Sequence, residues 1–131
     1  MLPWQHVLDP LCGYLLLAER LTGDTGHDVA TSWNFGPDGS GEATAEEVAR
    51  MVAAAWDHHV EISEDPCSQQ MHETKTLRLD SARARNLLGW SPRWGLTEAV
   101  SRTVDWHVRL SDGTDLQELC ISQIADYLGA S

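Results

Sequence analysis

The chain predicts an α/β fold that is rich in helix and short of sheet. Helix-start signals recur at Asp9-Pro10, at Thr44-Ala-Glu-Glu47, at Asp80 and at Asp115. Strand-like alternation is confined to residues 29–35, 60–63 and 75–79. The first helix is apolar on nearly every side, through Leu11, Cys12, Tyr14, Leu15, Leu16, Leu17, Ala18 and Leu21. A helix greasy all round belongs between layers, and one longer strand with two short ones gives it little to lie against. The pattern predicts the end of an α/β protein whose main sheet lies elsewhere.

Element by element, Asp9 followed by Pro10 reads as an N-cap and a first helical residue whose missing N–H costs nothing, opening a helix to about Thr22. Residues 24–28 read as a turn-rich loop, and residues 29–35 as a strand that stops at Gly36-Pro-Asp-Gly39. Thr44 and Glu47 form a capping box ahead of Val48, Met51, Val52, Ala55 and Trp56 at helical spacing. A short strand, a polar loop over 64–74 and a second short strand follow. Asp80 then caps a helix through Leu88 that ends at Gly89, suited to a left-handed cap. Trp90 and Trp94 anchor an irregular connection. Two helices close the chain, with apolar stripes Leu96, Ala99, Val100, Thr103, His107, Leu110 and Leu116, Leu119, Cys120, Ile124, Tyr127, Leu128.

Composition narrows the function classes. The 131 residues carry 9 Lys and Arg against 20 Asp and Glu, a net charge of −11, which repels nucleic acid and anionic membrane surfaces alike. An apolar fraction of 42% with six Trp demands a core. The longest apolar stretch is broken by Asp9, Pro10, Glu19 and Arg20 and falls short of a bilayer span. With no secretory signal pattern at its amino end, the chain is expected in the cytoplasm. Cys12, Cys67 and Cys120 fit neither a disulfide framework nor CxxC zinc spacing and are expected as reduced thiols, two of them in core helices.

Motifs for chemistry are sparse. The run Gly36-Pro-Asp-Gly-Ser-Gly41 lies between a strand and a helix, and reads either as a turn or as an anion site at the helix end, but it is not GxGxxG. Tyr14 and Tyr127 are followed four residues on by Ala18 and Ser131, so neither begins Tyr-x-x-x-Lys. Adjacent His58 and His59 point about 100° apart on a helix and make a poor pair of metal ligands. His6 and Asp9 suggest a dyad without a nucleophile, or else a buried histidine beside a helix cap. His72-Glu73 places a carboxylate in a polar loop, where it can accept from sugar hydroxyls or simply be solvated.

Six segments taken together carry a resemblance: Pro3-Trp-Gln-His-Val-Leu-Asp-Pro10, Gly13-Tyr-Leu, Trp33-Asn-Phe-Gly-Pro37, Leu77-Arg-Leu-Asp-Ser-Ala-Arg-Ala84, Leu88-Gly-Trp-Ser-Pro-Arg-Trp94 and Thr103-Val-Asp-Trp106. The chain resembles the carboxyl-terminal third of CDP-glucose 4,6-dehydratases, NAD-dependent lyases of deoxysugar biosynthesis within the extended short-chain dehydrogenase/reductases. The resemblance implies a carboxyl-terminal substrate-binding lobe plus the last sheet strand, 29–35, of a Rossmann fold. Residues 1–131 would be one substrate-binding portion without the NAD-binding core.

It also implies substrate-binding roles for Trp4, Gln5, Gln70 and Glu73, with Glu73 where an acidic residue meets the nucleotide ribose. No catalytic residue and no metal are implied in this chain; NAD belongs to the complete enzyme. The family motif opens with Arg before Pro-Trp, where this chain has Leu2, which cannot offer forked donors to a diphosphate.

The expected partners are a CDP-sugar, bound weakly or not at all by the chain alone, and either the missing Rossmann half or a second copy. The start inside a motif suggests truncation. The alternative is a non-catalytic module that binds a nucleotide sugar or a protein; a decayed remnant is a third reading. A chain built to meet absent protein should leave Val7, Leu11 and Leu15 uncovered.

Overall fold

A computed structural model of the chain describes residues 1–64 and 76–129. In order these form β1 (Leu2–Pro3), α1 (Leu8–Leu21), a single-turn α2 (Gly26–Val29), a 3-10 turn (Gly39–Gly41), β2 (Glu42–Ala43), α3 (Ala45–Ala55), a wide π turn (Ala84–Leu88), α4 (Leu96–Ser111) and α5 (Leu116–Gly129). The sheet has two strands, β1 antiparallel to β2 with Leu2 opposite Ala43. The architecture is a helix-rich partial α/β domain. No helix among the described residues is long and apolar enough to cross a membrane.

The helices with explicit end signals form where the sequence places them. Thr44 Oγ1 accepts from Glu47 N–H at 3.1 Å while Thr44 N–H donates to the Glu47 carboxylate at 2.7 Å, fixing the start of α3. Asp80 accepts from Ala82 N–H at 2.9 Å, and Gly89 closes the π turn at φ +68°, a conformation L side chains rarely adopt. Asp115 accepts from Glu118 N–H at 3.1 Å at the start of α5.

The expected strands do not form. Residues 29–35, 60–63 and 76–79 are not part of a sheet, and Lys75 lies outside the described residues. A strand is completed only by a neighbour's ladder of hydrogen bonds, and no described segment supplies one. Residues 29–36 are instead pinned by side chains: Gln5 Nε2 donates to Phe35 O at 2.7 Å, Ser81 Oγ accepts from Gly36 N–H at 2.8 Å, and Arg83 donates to Ser32 O at 3.1 Å. The β1–β2 pair escaped the sequence reading because two-residue strands show no alternation. The loop expected over 24–28 contains the start of α2.

The core is aromatic. Phe35, Ala84, Leu88 and Trp90 form its centre, with Cys12, Leu16, Leu17 and Trp33 packed around it. The Phe35 ring meets Trp90 and Tyr14 edge-on, at centroid distances of 5.2 and 5.5 Å. A second layer sets Trp94 edge-to-face between His6 and Tyr127, at centroid distances of 4.7 and 5.0 Å. On α4 the buried residues are Ala99, Val100 and Val104, so the stripe is rotated from the expected one and leaves His107 and Leu110 exposed. On α5 Leu119 and Tyr127 are buried, whereas Leu116, Cys120, Ile124 and Leu128 face outward. Cys12 is half-buried, so the expectation of two core cysteines fails at the exposed Cys120; Cys67 lies outside the described residues.

Helix α1 is not enclosed within this chain, and Val7, Leu11 and Leu15 are uncovered, as expected of a helix shaped to meet protein outside it. Only Asp9 and Gly13 are buried on it, while Val7 at its start is 60% exposed and Leu15 72% exposed. Gly13 is the point of closest approach: a Cβ there would lie 2.3 Å from Phe35 Cδ1, well inside contact distance, and that ring is held by Trp90. Gly13→Ala should therefore destabilise the fold by about 1–3 kcal/mol through overpacking. Urea unfolding of the two proteins measures this directly; equal midpoints would show that the ring moves freely.

Candidate functional site

The amino-terminal segment is built into the fold through its backbone. Leu77 N–H donates to Met1 O at 3.0 Å and Trp4 N–H to Gly41 O at 2.9 Å, so residues 1–5 lie between β2 and the stretch beginning at residue 76. Trp4 Nε1 donates to Ala43 O at 3.0 Å. Gln5 commits its amide N–H to Phe35 O, and its Oε1 is buried without a protein partner. The structure thus brings Trp4 and Gln5 together with their donors engaged by backbone. Gln70, Glu73 and the neighbouring His72 lie outside the described residues.

Beside this segment is a polar hollow of about 340 Å³, lined among others by Pro3, Asp38, Glu42, Arg78 and Arg85. The Arg78 guanidinium grips Glu42 with two donors, Nε at 2.8 Å and an Nη at 3.0 Å. Its fork is therefore occupied by a carboxylate of the chain itself. The Asp38 carboxyl is held below the usual range by donation from the Ser40 hydroxyl and Ser40 N–H. Two cations and two anions line the hollow. It suits hydroxyl-rich or zwitterionic groups better than a bare polyanion.

The glycine run beside it does not cradle a dinucleotide. It passes through the 3-10 turn into β2 before α3 begins, and Asp38 caps that turn. Gly41 packs against Pro37 and Trp4 O, where a Cβ would come within 2.4 Å of Pro37 Cβ. A pyrophosphate would meet the Asp38 carboxylate rather than a ring of free N–H groups, so the described residues do not fit NAD and no step is assigned to it here. Among the described residues no group of three or more His, Cys, Asp or Glu is placed to hold a metal.

The His6–Asp9 pair resolves into structure rather than catalysis. Asp9, fully buried, does not cap α1 as expected. Its Oδ1 accepts from Arg93 N–H at 2.8 Å and from Tyr127 Oη–H at 2.7 Å, its main-chain oxygen accepts from Trp90 Nε1 at 2.8 Å, and Oδ2 is left without a protein partner. His6 takes over at the helix start, Nδ1 accepting from Leu8 N–H at 3.1 Å. Burial lowers the His6 pKa below its ordinary 6.5, against the opposing pull of Asp9. Burial, together with the hydrogen bond to Asp9 and its charge, pushes the Tyr127 phenol far up, so it stays a donor. Arg93 and Tyr127 were missed as partners of Asp9. The Pro-Arg-Trp94 motif and the terminal-helix stripe held the signal, but nothing local joins them to residue 9.

No family model matches the chain. The chain is similar to the CDP-glucose 4,6-dehydratase of Salmonella typhimurium, with 38% identity over 129 residues. That match takes in 98% of this chain and 35% of the Salmonella protein, so the chain spans about a third of its relative's length. The resemblance read from the sequence motifs is borne out.

Two outcomes follow from the buried network. Tyr127→Phe leaves Asp9 with one donor fewer and should cost about 1–3 kcal/mol in denaturant unfolding; a loss below half that range would show that solvent replaces the phenol. His6, neutral when folded, supports the fold above its unfolded pKa of about 6.5, and that support drains away as the pH falls toward its lowered folded value. Between pH 7.5 and 5.5 the stability of the native chain should fall more steeply than that of His6→Asn, and parallel curves would contradict the linkage.

Proposed function

We propose that this chain is the substrate-binding lobe of a nucleotide-sugar 4,6-dehydratase acting on CDP-glucose, and that it has no dehydratase activity by itself. The observation that carries the reading is 38% identity sustained over 98% of the chain to an enzyme of that name. It includes a Rossmann-type context for residues 29–35, whose side-chain pins replace the ladder a neighbouring strand would provide. In the complete enzyme NAD, when bound, would supply the hydride chemistry, oxidation at C4 of the sugar and return of hydride to C6, while loss of water across C5 and C6 falls to acid and base side chains of that enzyme.

This chain's own share is binding. Trp4 and Gln5, which line a separate and mostly apolar hollow with Val48, Val52 and Leu96, are proposed to contact the sugar nucleotide, and Gln70 and Glu73 to reach the nucleotide, Glu73 through the ribose hydroxyls. With Leu2 neutral and the Arg78 fork closed on Glu42, the isolated chain should grip a diphosphate weakly.

The test is a chimera in which this chain replaces the matching third of the Salmonella enzyme. With NAD present, the chimera should convert CDP-glucose to a 4-keto-6-deoxy product, read by the alkaline absorbance of the ketone, while the isolated chain produces none. A folded but inert chimera would remove the dehydratase reading. The melting temperature of the isolated chain should scarcely move with micromolar CDP-glucose, since a ligand stabilises only as RT ln(1 + [L]/Kd). A large rise would favour a self-sufficient binding module instead.

A further inference from the structure

The polar hollow beside the amino-terminal segment shares no lining residue with the apolar one at Trp4 and Gln5. Its volume of about 340 Å³ falls within the roughly 300–1,000 Å³ of sites that take small molecules. Part of its polar lining is spent on the fold. The Glu42 side chain, 14% exposed, accepts from Arg78 through Nε and one Nη, and Asp38 Oδ1 accepts from Ser40 N–H and the Ser40 hydroxyl. The rest is left over for something else. Asp38 Oδ2 accepts from no described residue, and its carboxyl stays ionised because the Ser40 donors hold it below the usual range. The Arg85 guanidinium lies within the field of Asp38 yet has no hydrogen-bond or ion-pair partner among the described residues. Arg78 has five N–H donors and commits two of them to Glu42, which also balances its charge.

We propose that this hollow is a binding site for the phosphate monoester of a hexose. Each unspent group selects one part of such a ligand. The Arg85 fork matches a phosphate with two parallel donors. Asp38 Oδ2 is an acceptor and takes sugar hydroxyls, while the spare Arg78 donors reach ring or hydroxyl oxygens. Pro3, Pro37 and Leu79 give the lining an apolar part against which the C–H face of a pyranose can lie. A bare polyanion is disfavoured by the two carboxylates, and an uncharged sugar leaves the Arg85 charge unmatched. The site does not rest on the dehydratase reading, because every group in it belongs to this chain and none of them is assigned to the sugar nucleotide.

The experiment titrates the isolated chain with glucose 1-phosphate and, in separate arms, with glucose, inorganic phosphate and CDP-glucose, following the backbone amides of Gly39 and Leu79 by NMR. Glucose 1-phosphate should saturate both amides below about 10 mM and bind about tenfold or more tightly than glucose or phosphate alone. Arg85 is exposed, so Arg85→Gln should melt with the native chain while weakening the sugar phosphate about tenfold. Asp38→Asn keeps an oxygen for Ser40 and replaces the unspent one with a donor, and should weaken binding about threefold. Arg109→Gln, at an exposed arginine of α4 outside the hollow, should leave binding unchanged. Inorganic phosphate binding as tightly as the sugar phosphate, an adventitious ion only, overturns the site. So do shifts confined to residues away from the hollow, the absence of binding at about 10 mM, and an Arg85→Gln chain that binds like the native one. CDP-glucose carries no phosphate monoester and should compete poorly; competition at equal strength assigns the hollow to the sugar nucleotide and overturns a separate site. The dehydratase reading is decided by turnover in the chimera, whichever way the titration falls.

Discussion

The fold turns on one buried carboxylate. Asp9 lies at the start of α1 with no exposure to water, and a group so placed is tolerated only when the protein replaces the hydrogen bonds that water would have given. Two donors meet its Oδ1, one from the irregular connection after Trp90 and one from the last helix, while the Trp90 indole reaches the main-chain oxygen of the same residue. These links span 84, 118 and 81 residues of sequence. One side chain therefore sets where α1 meets the 90s connection and α5 together. Trp90 in turn fixes the Phe35 ring, and Trp94 fixes His6 and Tyr127.

What could be read from the sequence follows the range of the interaction. Capping chemistry acts over three residues, so the starts of α3 and α5, the cap at Asp80 and the left-handed Gly89 were all legible. Strand pairing acts between distant segments. The alternation over 29–35 is a pattern that seeks a ladder, and no described segment of the chain completes one. Asp9 shows the same limit in a different form. Beside Pro10 it reads as a cap, and only the three-dimensional meeting with Arg93 and Tyr127 shows that its oxygen is used elsewhere.

The candidate site was half legible. Trp4 and Gln5 stand together in the structure, and their donors serve the backbone of residues 35 and 43, an architectural use that the sequence did not show. The capture of Arg78 by Glu42 could not have been foreseen, because the two lie 36 residues apart and become neighbours only through the amino-terminal segment, which pairs with β2 at Pro3 and accepts from Leu77 N–H at Met1 O. The hollow they border holds balanced charge despite a strongly acidic chain. Local arrangement, and not overall composition, sets its chemistry.

The length of the Asp9–Tyr127 link bears on how the chain is made. At a synthesis rate of roughly 5–20 residues per second, the 118 residues between them take on the order of 6–24 s to add. Throughout that interval the carboxylate has no phenol to receive, and α1 can be no more than provisionally seated. The nascent chain thus carries an oily helix unsecured until almost the last turn of α5 is polymerised, which is the period in which a chaperone has most to shield.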